Sequence, residues 1–129
     1  MNEPLWISKK AVLAIHSAQL AEHGGSDGIR DETLLDAALA KPRDIFAYAD
    51  QPDISRLAAS YALGIARDHA FVDGNKRTAL VVSLSFLDRN GWDIGSSKQN
   101  LYFTFLHLVD GSLIEDELTD WFTEHAVAL

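Results

Sequence analysis

The nine residues His69-Ala70-Phe71-Val72-Asp73-Gly74-Asn75-Lys76-Arg77 stand between two helical patterns, and their reading sets that of the chain. Downstream, the apolar-rich run Thr78 to Leu87 meets Asp88-Arg89-Asn90-Gly91, with glycine just past the last turn, so the pattern predicts a buried helix over residues 75 to 90. Upstream, Leu57, Tyr61 and Ile65 recur near a spacing of four through residues 54 to 69, and Ala58, Ala59, Ala62 and Ala66 permit close helix contacts. A helix, a tight loop and a second helix are therefore expected.

That placement puts Lys76 and Arg77 in the first turn of the downstream helix. Free N–H groups and the macrodipole already make this end positive, so each misplaced cation costs roughly 0.3–1 kcal/mol. A bound anion would offset the cost, and Gly74 has no side chain to keep a phosphate from the backbone donors. The stretch thus reads as a phosphate site. His69 is the side chain best suited to take a proton near neutral pH. Asp73 offers the hard oxygen ligand that a phosphate-bound Mg²⁺ takes from a protein, and Phe71 is expected to point inward and pin the loop. Singly, His69 reads as a helix-end residue, Asp73 as an N-cap and Lys76-Arg77 as a solvated basic pair. Their assembly within nine residues favours chemistry.

At 129 residues the chain is expected to form one domain, residues 1–129, with a real core. No apolar run approaches the ~20 residues of a membrane span, so a soluble protein is expected. Met1-Asn2-Glu3-Pro4 shows no secretory signal pattern, and the absence of cysteine excludes disulfides and thiolate zinc sites, so a cytoplasmic location fits. The formal charge of −8, from 11 basic and 19 acidic residues, argues against broad attraction to nucleic acid or anionic membranes. Basic charge gathers locally at Arg67, Lys76 and Arg77, a pattern suited to a small anionic ligand.

In chain order, Ser8 is a good N-cap for a helix running to about His23, where Gly24-Gly25 stops it. Its apolar stripe is moderate, and His16 and His23 are expected at the surface because no partner ligands sit at metal-like spacing. Asp31 caps a short helix ending at Pro42. Residues 42 to 52 are irregular and predict a loop or small hairpin, whose aromatics are either core plugs or a surface that grips a partner. Beyond the central helix, Trp92 to Ile94 is expected to extend briefly. A helix from about Lys98 to Asp110 ends at Gly111, and Ser112-Leu113-Ile114-Glu115 spells a capping box for a last helix with Leu118, Trp121 and Phe122. His107 and His125 read as helix-surface or packing residues. The composite is an all-α bundle of about six helices with an optional small β-hairpin flap.

Residues 69 to 77 resemble the signature of the Fic/Doc superfamily, specifically its Doc branch, whose motif reads His-x-Phe-x-Asp-Gly-Asn-Lys-Arg. Every fixed position matches. The likeness extends over essentially the whole chain, including the Gly-rich loop before Ile29-Arg30-Asp31, Leu35 to Pro42, and the Asn-Gly after the central helix. The resemblance implies an all-α fold and transfer of a phosphate-containing group from a nucleotide to a protein hydroxyl. In the AMP-transferring Fic branch, glycine stands at the position of Lys76 and a second arginine at that of Leu80. Both departures favour the Doc branch, where the nucleotide is thought to enter reversed and present its terminal phosphate. The implied activity is that of a toxin kinase in a type II toxin–antitoxin system, using ATP and Mg²⁺ to phosphorylate a Ser or Thr hydroxyl of elongation factor Tu and inhibit translation.

On this resemblance His69 is the base and Asp73 the Mg²⁺ holder. Gly74 and Asn75 supply anion-hole donors, and Lys76 and Arg77 neutralise the transferring and leaving phosphates. The 42 to 52 segment resembles the family's flap, which aligns a target peptide. The partner implied is a Phd-like antitoxin that folds onto the toxin. Some Fic proteins instead carry their own inhibitory helix with Ser or Thr four residues before Glu, and no Glu of this chain has Ser or Thr at that spacing, so inhibition in trans is expected. Two other readings stand beside the kinase: a Fic-type AMP or nucleotidyl transferase, and a non-catalytic module that only engages an antitoxin.

Overall fold

In the computed structural model, which describes residues 2–95, 98–110 and 115–129, the order is α1 (Lys9–His23), α2 (Glu32–Tyr48), α3 (Ile54–Asp68), α4 (Asn75–Arg89), β1 (Trp92–Ile94), α5 (Lys98–Asp110), α6 (Glu115–His125) and β2 (Ala126–Ala128). Among the described residues this is an all-α bundle of six helices with a two-stranded sheet. The strands pair antiparallel, Trp92 opposite Ala128 and Ile94 opposite Ala126, so the brief extension after α4 is met by the segment that follows α6. No described helix is long and apolar enough to cross a membrane.

Short polar residues start the first helices as their chemistry dictates. Ser8 accepts from the Ala11 N–H, Asp31 from that of Leu34 and Asp53 from that of Arg56, at 3.1, 3.0 and 2.8 Å. Gly24, at φ 81°, stops α1. The Gly111 stop and the Ser112–Glu115 capping box lie outside the described residues, Glu115 excepted.

The centre of the bundle is α3, whose small alanines let α2, α4 and α6 close around it. Gly64 lies so near α2 that a Cβ there would stand 3.1 Å from that of Ala38. Tyr61, Phe71, Phe86, Phe105 and Phe122 are fully buried, each contributing roughly 1.5–3 kcal/mol by leaving water. Tyr61 satisfies its polar end by accepting the Ile7 N–H at 3.2 Å, tying the N-terminal segment to the core. Asn90 fastens the same segment, accepting the Leu5 N–H at 2.8 Å and donating to the Leu5 carbonyl at 3.0 Å.

Two expectations are corrected. The segment 42–48 is not a loop or hairpin: α2 continues through a buried Pro42 to Tyr48, leaving 49–53 as the irregular connection. Proline inside a helix costs ~3 kcal/mol, and what outweighs it here is tertiary. Phe46 packs edge-on against Trp6 at 5.8 Å and the Arg43 guanidinium lies 5.5 Å from the Trp6 ring. Phe46 is thus a core plug, whereas Tyr48 is exposed. The second correction is His16, which is buried at 3% exposure.

Candidate functional site

Residues 69–74 form the turn between α3 and α4, held by the loop before α2. His69 caps α3 in the left-handed conformation, φ 51° and ψ 46°, which costs a non-glycine residue of order 1–2 kcal/mol. Arg30 offsets that strain: its Nε donates to the His69 carbonyl at 2.6 Å and Nη2 to the Asp68 carbonyl at 3.0 Å, satisfying helix-end acceptors. The Arg30 and Asp31 N–H groups both donate to the Ala70 carbonyl, and Val72 N–H donates to Gly28. The His69 side chain is left exposed at a pocket edge, with no hydrogen-bond partner for its ring among the described residues.

Phe71 points inward, as expected, at 1% exposure. Its main chain is clamped by the Asn75 side chain, whose Oδ1 accepts the Phe71 N–H and whose Nδ2 donates to the Phe71 carbonyl, both at 3.0 Å. Both ends of the Asn75 side-chain amide are therefore engaged within the loop. Asp73 is exposed, with Oδ1 accepting the Gly74 N–H at 2.9 Å and Oδ2 that of Ser26 at 3.3 Å. Gly74, at φ 76°, is the N-cap of α4 and gives it no side-chain cap, so the helix's positive end is open. A Cβ on Gly25 would stand 2.9 Å from Asp73 Oδ2, so glycine there lets the carboxylate lie against the 24–28 loop.

The two cations are held by other helices. Lys76 pairs with Asp110 at the end of α5, and Arg77 lies 4.0 Å from the Tyr102 ring centroid with Nη1 3.3 Å from His23 Nε2. His69, Asp73, Gly74, Asn75, Lys76 and Arg77 all line one pocket of about 340 Å³. Arg77, His23 and Tyr102 also border a larger, mostly apolar groove of about 1100 Å³ between α1, α4 and α5. Leu80 borders that groove at 6% exposure, giving it an apolar wall one turn beyond the cations.

Sequence reasoning missed four participants: His16, Arg30, Tyr102 and Asp110. His16 carried a signal, since it stands four residues after buried Val12 and four before Leu20, and His16 and Leu20 both lie against the Gly74 turn. The others act across 34 to 39 residues or between separate helices, and no local pattern announces them.

An exposed histidine at the end of α3, the uncapped N-terminus of α4, a carboxylate and two cations thus meet at one pocket. The profile of the Fic/DOC family matches residues 6–87, and the chain belongs to that family. Its relatives place it in the Doc branch. It is similar to "Protein kinase doc" of Escherichia phage P1, 36% identical over 93 residues covering 72% of this chain and 74% of that one. It is also similar to "Toxin Doc" of Mycolicibacterium smegmatis, 44% identical over 69 residues covering 53% of each chain.

Proposed function

We propose that the chain is the toxin of a type II toxin–antitoxin system and a protein kinase, moving the γ-phosphate of ATP to a Ser or Thr hydroxyl of elongation factor Tu in the cytoplasm. The observation that carries this reading is the convergence of exposed His69, the open N-terminus of α4 and both cations on one pocket. The relative named as a kinase supports it.

The His69 imidazole takes the hydroxyl proton of the target as the hydroxyl oxygen bonds to the γ-phosphorus. The bond from that phosphorus to the bridging oxygen breaks, and ADP leaves with the electron pair. The Gly74 turn and the main-chain N–H groups of Asn75 and Lys76 face the phosphate oxygens, where fixed donors act without reorganising. Lys76 and Arg77 offset the charge of the phosphates. An exposed His69 is what a macromolecular substrate requires, since its hydroxyl must reach the base from solvent.

Mg²⁺ fits the donor set in one form only. Among the described residues no group of three or more acidic, histidine or cysteine side chains could hold a metal by itself. Mg²⁺ usually takes one or two carboxylates together with substrate phosphates. Asp73 would hold it, since two accepted N–H bonds leave lone pairs on its carboxylate. The ion supplies charge neutralisation to the bound polyphosphate.

AMP transfer is disfavoured by Lys76 and by Leu80, an apolar residue where the Fic branch has a second phosphate-binding arginine. A Phd-like antitoxin, acting in trans, is the partner that keeps such an activity in check. The intact mass of elongation factor Tu after incubation with the protein and Mg·ATP tests the reading. A gain of one phosphoryl group supports it, a gain of one nucleotidyl group assigns the chain to the other chemistry, and an unchanged mass removes this target.

A further inference from the structure

We propose that His16 is a positioning residue for the phosphate loop, holding through its Nε2–H the turn that presents Asp73 and the first N–H groups of α4. The inference rests on the kinase reading of that loop and extends it to a residue outside the motif, on a different helix.

His16 is the only Asp, Glu, Lys, Arg or His buried among the described residues. A buried imidazole is costly unless its polar atoms are satisfied. Here Nε2 lies 2.8 Å from the Asp73 main-chain oxygen. A carbonyl only accepts, so Nε2 carries the proton and donates it. The same ring stacks on Phe71 at 3.8 Å with its plane tilted by only 9°. One side chain of α1 therefore grips the loop on both sides of Val72, once by stacking and once by a hydrogen bond.

The rest of the loop turns these grips into a constraint on the site. The Phe71 main chain is clamped in turn by the Asn75 side chain. A Cβ on Gly74 would stand 3.2 Å from Leu20 and 3.7 Å from the His16 ring, so α1 fits closely against the turn. With its carbonyl held by His16 and its carboxylate accepting from Gly74 and Ser26, residue 73 is fixed at both ends. Releasing the carbonyl lets the peptide plane between Asp73 and Gly74 rotate. That plane sets both the direction of the Asp73 carboxylate and the aim of the Gly74 N–H.

Two variants separate the hydrogen bond from simple filling of the core. His16→Phe keeps a ring to stack on Phe71 but has no donor. His16→Gln gives up the ring, yet its amide nitrogen reaches about as far as Nε2 and can donate. Their readouts are the Mg·ATP affinity by calorimetry and the Gly74 amide resonance in a ¹H–¹⁵N spectrum recorded without nucleotide. In His16→Phe the Gly74 resonance is expected to move and the affinity to fall ~10-fold, the scale of losing an outer hydrogen bond to a metal-holding residue. In His16→Gln both are expected to return close to wild type. Wild-type behaviour of His16→Phe, or equal loss in both variants, overturns the proposal. If wild-type protein binds no Mg·ATP, the kinase reading fails instead, and the Gly74 comparison still decides whether His16 holds the turn. His16→Met, of similar volume and without a donor, replaces His16→Phe if that variant does not fold.

Discussion

Replacing Asn75 with alanine should cost stability before it costs phosphate binding. The Asn75 side chain makes two buried bonds to the Phe71 main chain, each 3.0 Å, at residues 8% and 1% exposed. Alanine leaves the Phe71 N–H and carbonyl without partners, and each orphaned buried group costs about 1–3 kcal/mol. Some water entry at this loop relieves the higher figure, so a loss of about 2–4 kcal/mol is expected, against the roughly 5–15 kcal/mol of an ordinary domain. Urea unfolding measures it as a lower midpoint at unchanged slope. Asn75→Asp should lose a comparable amount, since a carboxylate can accept from the Phe71 N–H but opposes its carbonyl. An unchanged midpoint accompanied by weaker nucleotide binding would refute the reasoning and make the Asn75 side chain a phosphate ligand.

Arg30→Ala removes both bonds to the carbonyls of Asp68 and His69 and should slow phosphoryl transfer ~10-fold while leaving Mg·ATP affinity nearly unchanged; steady-state kinetics with separate nucleotide titrations check this. Asp110→Asn breaks the pair with Lys76 at a half-exposed site worth about 0–1 kcal/mol. The melting temperature should barely move, whereas affinity for the polyanionic nucleotide should rise as a competing negative charge is lost. Burial raises the Tyr61 hydroxyl above its usual 10.0, so its neutral form is favoured in the folded state. That contribution is complete below pH ~10 and is lost as pH rises through the raised value, so stability should fall on the alkaline side, and less so in Tyr61→Phe.

The helices were legible where their ends are written in local chemistry. Ser8, Asp31 and Gly24 mark boundaries by hydrogen bonds to residues a turn away, and the structure places them at caps. Pro42 misled because its local cost is outweighed by contacts with Trp6, some 36 residues earlier, which no window around residue 42 contains. The motif's residue types were legible too, and the structure gathers them in one pocket. Their division of labour was not. That the Asn75 side chain serves Phe71, that Lys76 is held by Asp110 and that His16 reaches Asp73 are facts of tertiary approach, and polarity alone made His16 look like a surface residue.

The most direct test of the account incubates the purified protein, Mg²⁺ and elongation factor Tu with ATP labelled at either the γ or the α phosphate, with His69→Ala in parallel. Label is predicted to pass from the γ position only and to be lost in the variant. Transfer from the α position, or γ transfer that survives without His69, would contradict the assignment of this pocket to a kinase that uses His69 as its base.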